Sequence, residues 1–187
     1  METDEQAIPI QDGLRVTPEE YLDLGDDGFQ YDMINGELKL APEPPAELGR
    51  VRRRFVSRLA AFLKRNDSGF VFPEIDIILP DGGDVLRANV SFLLTANLRN
   101  YRRMSRDHIH GVPDMVVEIQ TPTGRDLKEK AERYLVNGVQ ELWLLNLNEQ
   151  AMWVWHNRGD VWEKSGGDVL KSELLGGFEV STGEVFS

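Results

Sequence analysis

One short stretch limits what this chain can fold into more than any other. Between Pro113 and Pro122 runs Met115-Val116-Val117-Glu118-Ile119, an apolar, β-branched segment with a carboxylate inside it. Prolines this close leave no room for a helix of ordinary length, and β-branched side chains suit a pleated surface, so the segment reads as a buried strand. A carboxylate there is costly to bury unless a cation or a metal pairs with it. The alternative is that strand alternation turns Glu118 outward from a sheet edge. Either the chain builds a polar site around Glu118 or it leaves that face open to water.

The surrounding elements predict a mixed α/β domain. Thr17-Pro18-Glu19-Glu20 is a helix start, with a capping threonine, a proline suited to the first turn and a glutamate that completes a capping box. Residues 29–34 and 37–40 flank Asn35-Gly36, the dipeptide of a type I′ turn, which predicts a β-hairpin. After Pro42, Pro44 and Pro45, apolar residues from Leu48 to Leu63 recur at helical spacing, so a helix is expected over about 47–65. Residues 70–79 and 85–94 read as strands, Pro73 placing a kink or an edge in the first, and residues 97–110 as a polar, Arg-rich connection. A helix over 124–136 closed by Asn137-Gly138 is then followed by a strand over 141–147, a hairpin of 151–156 with 161–164, and a last strand near 178–180. This order predicts a mixed β-sheet core flanked by helices, with a hairpin added near each end.

The length of 187 residues suits one domain, residues 17–187, behind an acidic N-terminal segment, residues 1–16. Lys and Arg number 21 against 32 Asp and Glu, and the resulting charge of −11 excludes a generally cationic nucleic-acid coat protein. A hydrophobic content of 41% excludes a disordered acidic chain. Cysteine is absent, so thiolate nucleophiles, disulfides, zinc ribbons and iron–sulfur clusters are excluded too. No phosphate loop or dinucleotide-type glycine turn supports a small-molecule enzyme. With no basic, apolar leader and no apolar run near the ~18–20 residues of a membrane span, a cytoplasmic protein with no membrane partner is expected.

Asp126, Lys130 and Tyr134 fall four apart on the helix that follows the Glu118 strand and so share one face, an arrangement that a surface Asp–Lys pair would also explain. Glu37 follows the hairpin turn, a position usually solvated. Bases cluster despite the acidic total: Arg50, Arg52, Arg53, Arg54 and Arg58 on the long helix, and Arg99, Arg102, Arg103 and Arg106 in the polar connection. Because the Debye length is ~10 Å at 0.1 M salt, such a patch can meet phosphates while the acidic N terminus is screened; a solvated helix face is equally consistent. Trp153, Trp155 and Trp162 on the last hairpin suit a dimer contact or packing on the sheet.

Taken in order, Asn35-Gly36-Glu37-Leu38, Pro113-Asp114-Met115-Val116-Val117-Glu118-Ile119, Thr121-Pro122-Thr123, Asp126, Lys130, Tyr134, Gly138-Val139 and Glu141-Leu142-Trp143 resemble the Uma2 family of restriction-endonuclease-like proteins, within the PD-(D/E)XK nuclease superfamily. The resemblance implies a restriction-endonuclease-like fold and metal-dependent hydrolysis of DNA phosphodiester bonds, with Mg²⁺ or Mn²⁺ held by carboxylates. It makes Glu118 the acid of the half-motif and Glu37 the upstream acid. Gln120 takes the half-motif's lysine position, and Lys130 supplies the ammonium from the next helix. Asp126 and Tyr134 would support the site; from the clustering of bases, not from the resemblance, Arg53, Arg54, Arg99, Arg102, Arg103 and Arg106 are the residues expected to meet the DNA. A nuclease that cuts both strands needs two sites, which suits a homodimer. One position departs from the family pattern: Arg87-Ala88-Asn89-Val90 stands where a Pro-Asp pair is expected. The metal set becomes Glu37, Asn89 and Glu118, and a neutral amide in it should weaken cation binding. Two functions stay open: an attenuated metal-dependent endonuclease, or a catalytically inactive module of the same fold that binds nucleic acid or protein. Both expect Glu37, Asn89, Glu118, Gln120 and Lys130 to converge in one cleft.

Overall fold

The Asn35-Gly36 turn forms as its chemistry requires. In the computed structural model, which describes residues 11–25, 27–80, 82–100, 108–122, 124, 127–157, 161–164 and 169–187, Asn35 and Gly36 take positive φ values of 54° and 74°. They join β1 (Tyr31–Ile34) to β2 (Glu37–Leu40) in an antiparallel pair. Before them lies α1 (Pro18–Leu22), with the capping box of Thr17 and Glu20 in place. After them comes α2 (Ala46–Leu63), whose buried face is Leu48, Val51, Phe55 and Leu59.

The long hairpin β3 (Gly69–Ile78) and β4 (Val85–Leu94) leads through a 3-10 turn, Thr95–Asn100, to the short β5 (His108–His110) and then to β6 (Met115–Gln120). From β6 the chain crosses over α3 (Lys128–Val136) to β7 (Glu141–Asn146), which pairs parallel to β6. The hairpin β8 (Ala151–His156) and β9 (Val161–Lys164) follows, then the small pair β10 (Val169–Lys171) and β11 (Glu179–Ser181), and last α4 (Thr182–Phe186). The main sheet runs β2-β1-β4-β6-β7-β8-β9, with β3 along the other side of β4 and β5 parallel to β3. This is the mixed α/β sheet with two added hairpins that the element order predicts. Among the described residues no helix is long and apolar enough to cross a membrane.

Helices cover the sheet on both faces. On one, Phe55 of α2 meets Trp143 edge-on at 5.5 Å and Phe178 at 6.0 Å, joining α2, β7 and the C-terminal segment in one cluster. On the other, Ala131 and Tyr134 of α3 pack over Val116 and Leu142. Glu141 ties the C-terminal segment down: buried, it accepts hydrogen bonds from Trp143 Nε1 at 2.7 Å and from the backbone N–H groups of Glu173 and Leu174, beside His156 Nδ1 at 3.1 Å. Trp155 is buried in the sheet packing.

Four elements differ from the sequence reading. β10 lies in the Gly-rich tail, where only the strand near 178–180 is expected. β5 lies in the stretch read as connection, since three residues are too few to show a period. The crossover helix starts at Lys128, not 124, and α4 forms on a Ser181–Glu184 capping box at the very end. Asp126, Arg102, Arg103 and Arg106 lie outside the described residues.

The feature that positions the site is a fork in the sheet. One side of β4 is paired by β3 from Val85 to Leu94 except at Asn89, but on its other side β1 meets it only at Val85 and β6 only at Val90–Phe92. Residues 86–89 of β4 therefore face a gap between two strands.

Because Phe55 is wholly buried where three aromatic rings meet, Phe55→Ala is expected to destabilise the fold by about 3–5 kcal/mol. Urea unfolding followed by tryptophan fluorescence measures it, and a loss under about 1 kcal/mol would contradict the packing described.

Candidate active site

At the fork, backbone groups that would enter a ladder need other partners, because a buried N–H or C=O left unpaired is costly. Side chains supply them. Asp32 Oδ1, from β1, accepts the N–H of Arg87 at 2.8 Å. Asn89 Oδ1 accepts the N–H of Ile119 at 2.8 Å, bridging β4 to β6 just where their pairing stops. Lys130 Nζ, from α3, donates to the carbonyl of Arg87 at 2.5 Å.

The same ammonium lies 3.3 Å from Asp32 Oδ1 and 3.1 Å from Glu118 Oε1. Tyr134, one turn further along α3, donates its hydroxyl to Glu118 Oε1 at 3.0 Å. Glu118 thus points inward, into a cleft of about 140 Å³ whose lining includes Asp32, Arg87, Asn89, Glu118, Gln120 and Lys130. The edge-strand alternative is excluded, and the partner that the apolar run demanded is Lys130.

Charges in the cleft are set by competition between burial and pairing. Burial raises the Glu118 carboxyl above its ordinary range, Lys130 pulling it back. Burial alone would lower the Lys130 ammonium, but Asp32 and Glu118 together outweigh it and raise its pKa, so Lys130 stays protonated. Burial and the Glu118 charge push the Tyr134 phenol well up, which keeps its proton on the oxygen as a donor. Burial likewise raises Asp76, opposed by Arg87 and reinforced by Asp32.

Of the residues anticipated from sequence, Asn89, Glu118, Gln120 and Lys130 line one cleft, and Tyr134 supports Glu118 from below. Glu37 does not line it. It is half-buried on the outer strand β2, opposite Ile34 at the turn and bridged to Arg15; the acid of this hairpin that does line the cleft is Asp32, on the inner strand. The signal that finds Asp32 is the one that singled out Glu118: a carboxylate in an apolar strand, Tyr31-Asp32-Met33-Ile34, every residue of it buried. Gln120 binds locally, donating to the carbonyl of Thr121 at 3.0 Å and accepting the N–H of Leu127 at 3.3 Å, and so holds the β6–α3 connection. Among the α2 bases, Arg52 reaches the cleft, paired with Glu74 at 2.6 Å; Arg53 is exposed, Arg54 half-buried and neither lines the cleft, and Arg99 is exposed on the 3-10 turn.

For a hard divalent ion the donors suit in kind and fall short in charge. Asp32 and Glu118 offer carboxylate oxygens and Asn89 a neutral one, with an ammonium already between the two anions. Among the described residues no three His, Asp or Glu side chains are grouped as ligands of one ion.

The mixed sheet with its flanking helices has a counterpart among solved folds. A crystal structure titled a putative nuclease belonging to DUF820, from Anabaena variabilis, superposes with a TM-score of 0.75 at 19% identity, covering 91% of this chain and 97% of that one. The two chains therefore share a fold. Residues 18–183 match the Uma2 family, described as "Putative restriction endonuclease", and the chain belongs to that family. No curated protein matches the sequence.

Lys130 offsets two buried carboxylates, so Lys130→Met leaves both without their cation and is expected to cost about 3–5 kcal/mol at neutral pH. The pH dependence follows from the sign of the shift. Without Lys130 the Glu118 pKa rises further, and a carboxyl raised in the folded state stabilises the fold at acid pH and loses that contribution as pH rises through its folded value. The deficit of Lys130→Met relative to wild type should therefore shrink as pH is lowered, as read from urea midpoints across a pH series; a deficit independent of pH would contradict the cluster.

Proposed function

We propose that this chain is a nuclease that hydrolyses DNA phosphodiester bonds with the help of Mg²⁺ or Mn²⁺, at a rate held down by Asn89. The observation that carries the reading is the Lys130 Nζ held within 3.3 Å of both Asp32 and Glu118 in the cleft. Asp32 and Glu118 would hold the ion, with Asn89 Oδ1 as a neutral third donor, in place of the anticipated set with Glu37. When bound, such an ion polarises a phosphoryl oxygen and lowers the pKa of a coordinated water.

The side chains have their own parts. A lysine kept protonated cannot accept the proton of the attacking water; its ammonium instead orients that water and stabilises negative charge that grows on the phosphoryl oxygens. Glu118 is the carboxylate next to it, and Tyr134 fixes which way Glu118 faces. Gln120 acts as a positioning residue, since its bonds to Thr121 and Leu127 set the connection that places Lys130. Arg53 and Arg99 are exposed bases available to the DNA backbone, and Arg102, Arg103 and Arg106 belong to the same proposed set of contacts. Two copies acting as a homodimer would cut both strands.

The test is Asn89→Asp. One carboxylate oxygen can keep the Ile119 N–H while the other replaces the amide nitrogen, so volume and backbone support are retained as a charged ligand is gained. Asn89→Asp is expected to tighten Mn²⁺ binding by about tenfold or more in calorimetry and to raise metal-dependent nicking of plasmid DNA, with Glu118→Ala abolishing the nicking. A folded Asn89→Asp protein with no response to Mn²⁺ would favour the catalytically inactive, nucleic-acid- or protein-binding module instead.

A further inference from the structure

Two positions before Asn89, on the same strand, is a cation that the mechanism above does not use. The main chain of Arg87 is committed at the fork, its N–H to Asp32 and its carbonyl to Lys130. Its guanidinium is held far less firmly. The carboxylate across the β3–β4 ladder, Asp76, lies 3.6 Å from Nη1, beyond the ~2.7–2.9 Å of a charge-assisted hydrogen bond. Arg87 Nε and Asp76 Oδ1 are both buried, and neither has a hydrogen-bond partner. Yet the Arg87 side chain is 37% exposed, and it lines the cleft beside Asn89 and Glu118.

Comparison with the other cations around the cleft decides which one can take an outside anion. Arg52 pairs with Glu74 at 2.6 Å, Lys39 with Glu129 at 2.8 Å, and Lys130 with Glu118 at 3.1 Å. Each of these would have to break a close contact, whereas Arg87 gives up only the long one. A guanidinium presents its N–H groups in a planar fork that matches two oxygens of a phosphate, and the Arg87 side chain is exposed enough to offer its outer N–H groups to the cleft. A carboxylate ligand would match the fork as well, but a nuclease cleft exposes a guanidinium to backbone phosphates first.

We propose that Arg87 is the phosphate-binding residue of the cleft, holding non-bridging oxygens of a nucleic-acid backbone phosphate whether or not a metal is bound. This rests on the nuclease reading for the source of the phosphate, while the shared chemistry, a phosphoryl anion on a guanidinium fork, would serve free phosphate too.

The experiment is run in EDTA, so that no divalent ion contributes. Binding of a fluorescein-labelled DNA duplex is read by anisotropy and binding of inorganic phosphate by phosphorus NMR, for wild type, Arg87→Gln and Arg87→Lys, with thermal melts to establish that each is folded. Wild type is expected to bind the duplex, Arg87→Gln to weaken it by about tenfold or more, and Arg87→Lys, which keeps charge without the fork, to fall between. Equal binding by all three overturns the proposal, as does wild-type binding that appears only when Mn²⁺ replaces EDTA; in that second case the nuclease reading stands. Phosphate bound through Arg87 with no DNA bound under any condition keeps the phosphate site and overturns the nuclease reading. If Arg87→Gln fails to fold, Arg87→Lys decides alone: binding equal to wild type overturns the assignment to the fork.

Discussion

The gap along residues 86–89 of β4 sets the rest of the site. Where β4 leaves β1 and before it meets β6, main-chain groups of Arg87 and Ile119 would be buried without ladder partners, and Asp32, Lys130 and Asn89 supply the missing halves. A sheet that stayed zipped would hold no cleft, and a fork without polar side chains would carry several unmade hydrogen bonds. The chemistry and the architecture therefore use the same atoms: Asp32 Oδ1 serves a backbone N–H and an ammonium at once.

That double use explains why the cluster tolerates burial. Two carboxylates and a lysine, each mostly buried, would be unstable as separate charges, but each has both a charge partner and a hydrogen-bond partner, the condition under which a buried ion group holds together. Tyr134 completes Glu118 and Gln120 braces the connection into α3, so the position of Lys130 depends on β6, α3 and the join between them. At Asn89 an amide accepts the Ile119 N–H as a carboxylate would, without adding a negative charge to the cleft.

Much of this was legible in the chain before folding. The Asn35-Gly36 hairpin, the buried β6 strand and the need of Glu118 for a cationic partner follow from turn chemistry and the cost of burying charge. Asp32 obeys the same rule as Glu118 and could have been found by it, but the eye is drawn to Glu37 beside the turn. Arg52 could not be told from Arg53 and Arg54 by composition; helical phase puts Arg52 one turn after Leu48, and both line the cleft.

By itself the sequence determined most of the elements and their order, and that a carboxylate inside Met115–Gln120 needed a cation if it was buried, because local propensity and desolvation act over a few residues. Only the tertiary structure decided which residues answer it. Asp32, Arg87, Glu118 and Lys130 come from three strands and a helix, far apart in the chain, and what brings them together is the register of β4 with β1, β3 and β6. Register is a property of pairing between segments, so no single segment carries it, and a shift by one residue would turn Asn89 and Arg87 to the opposite face.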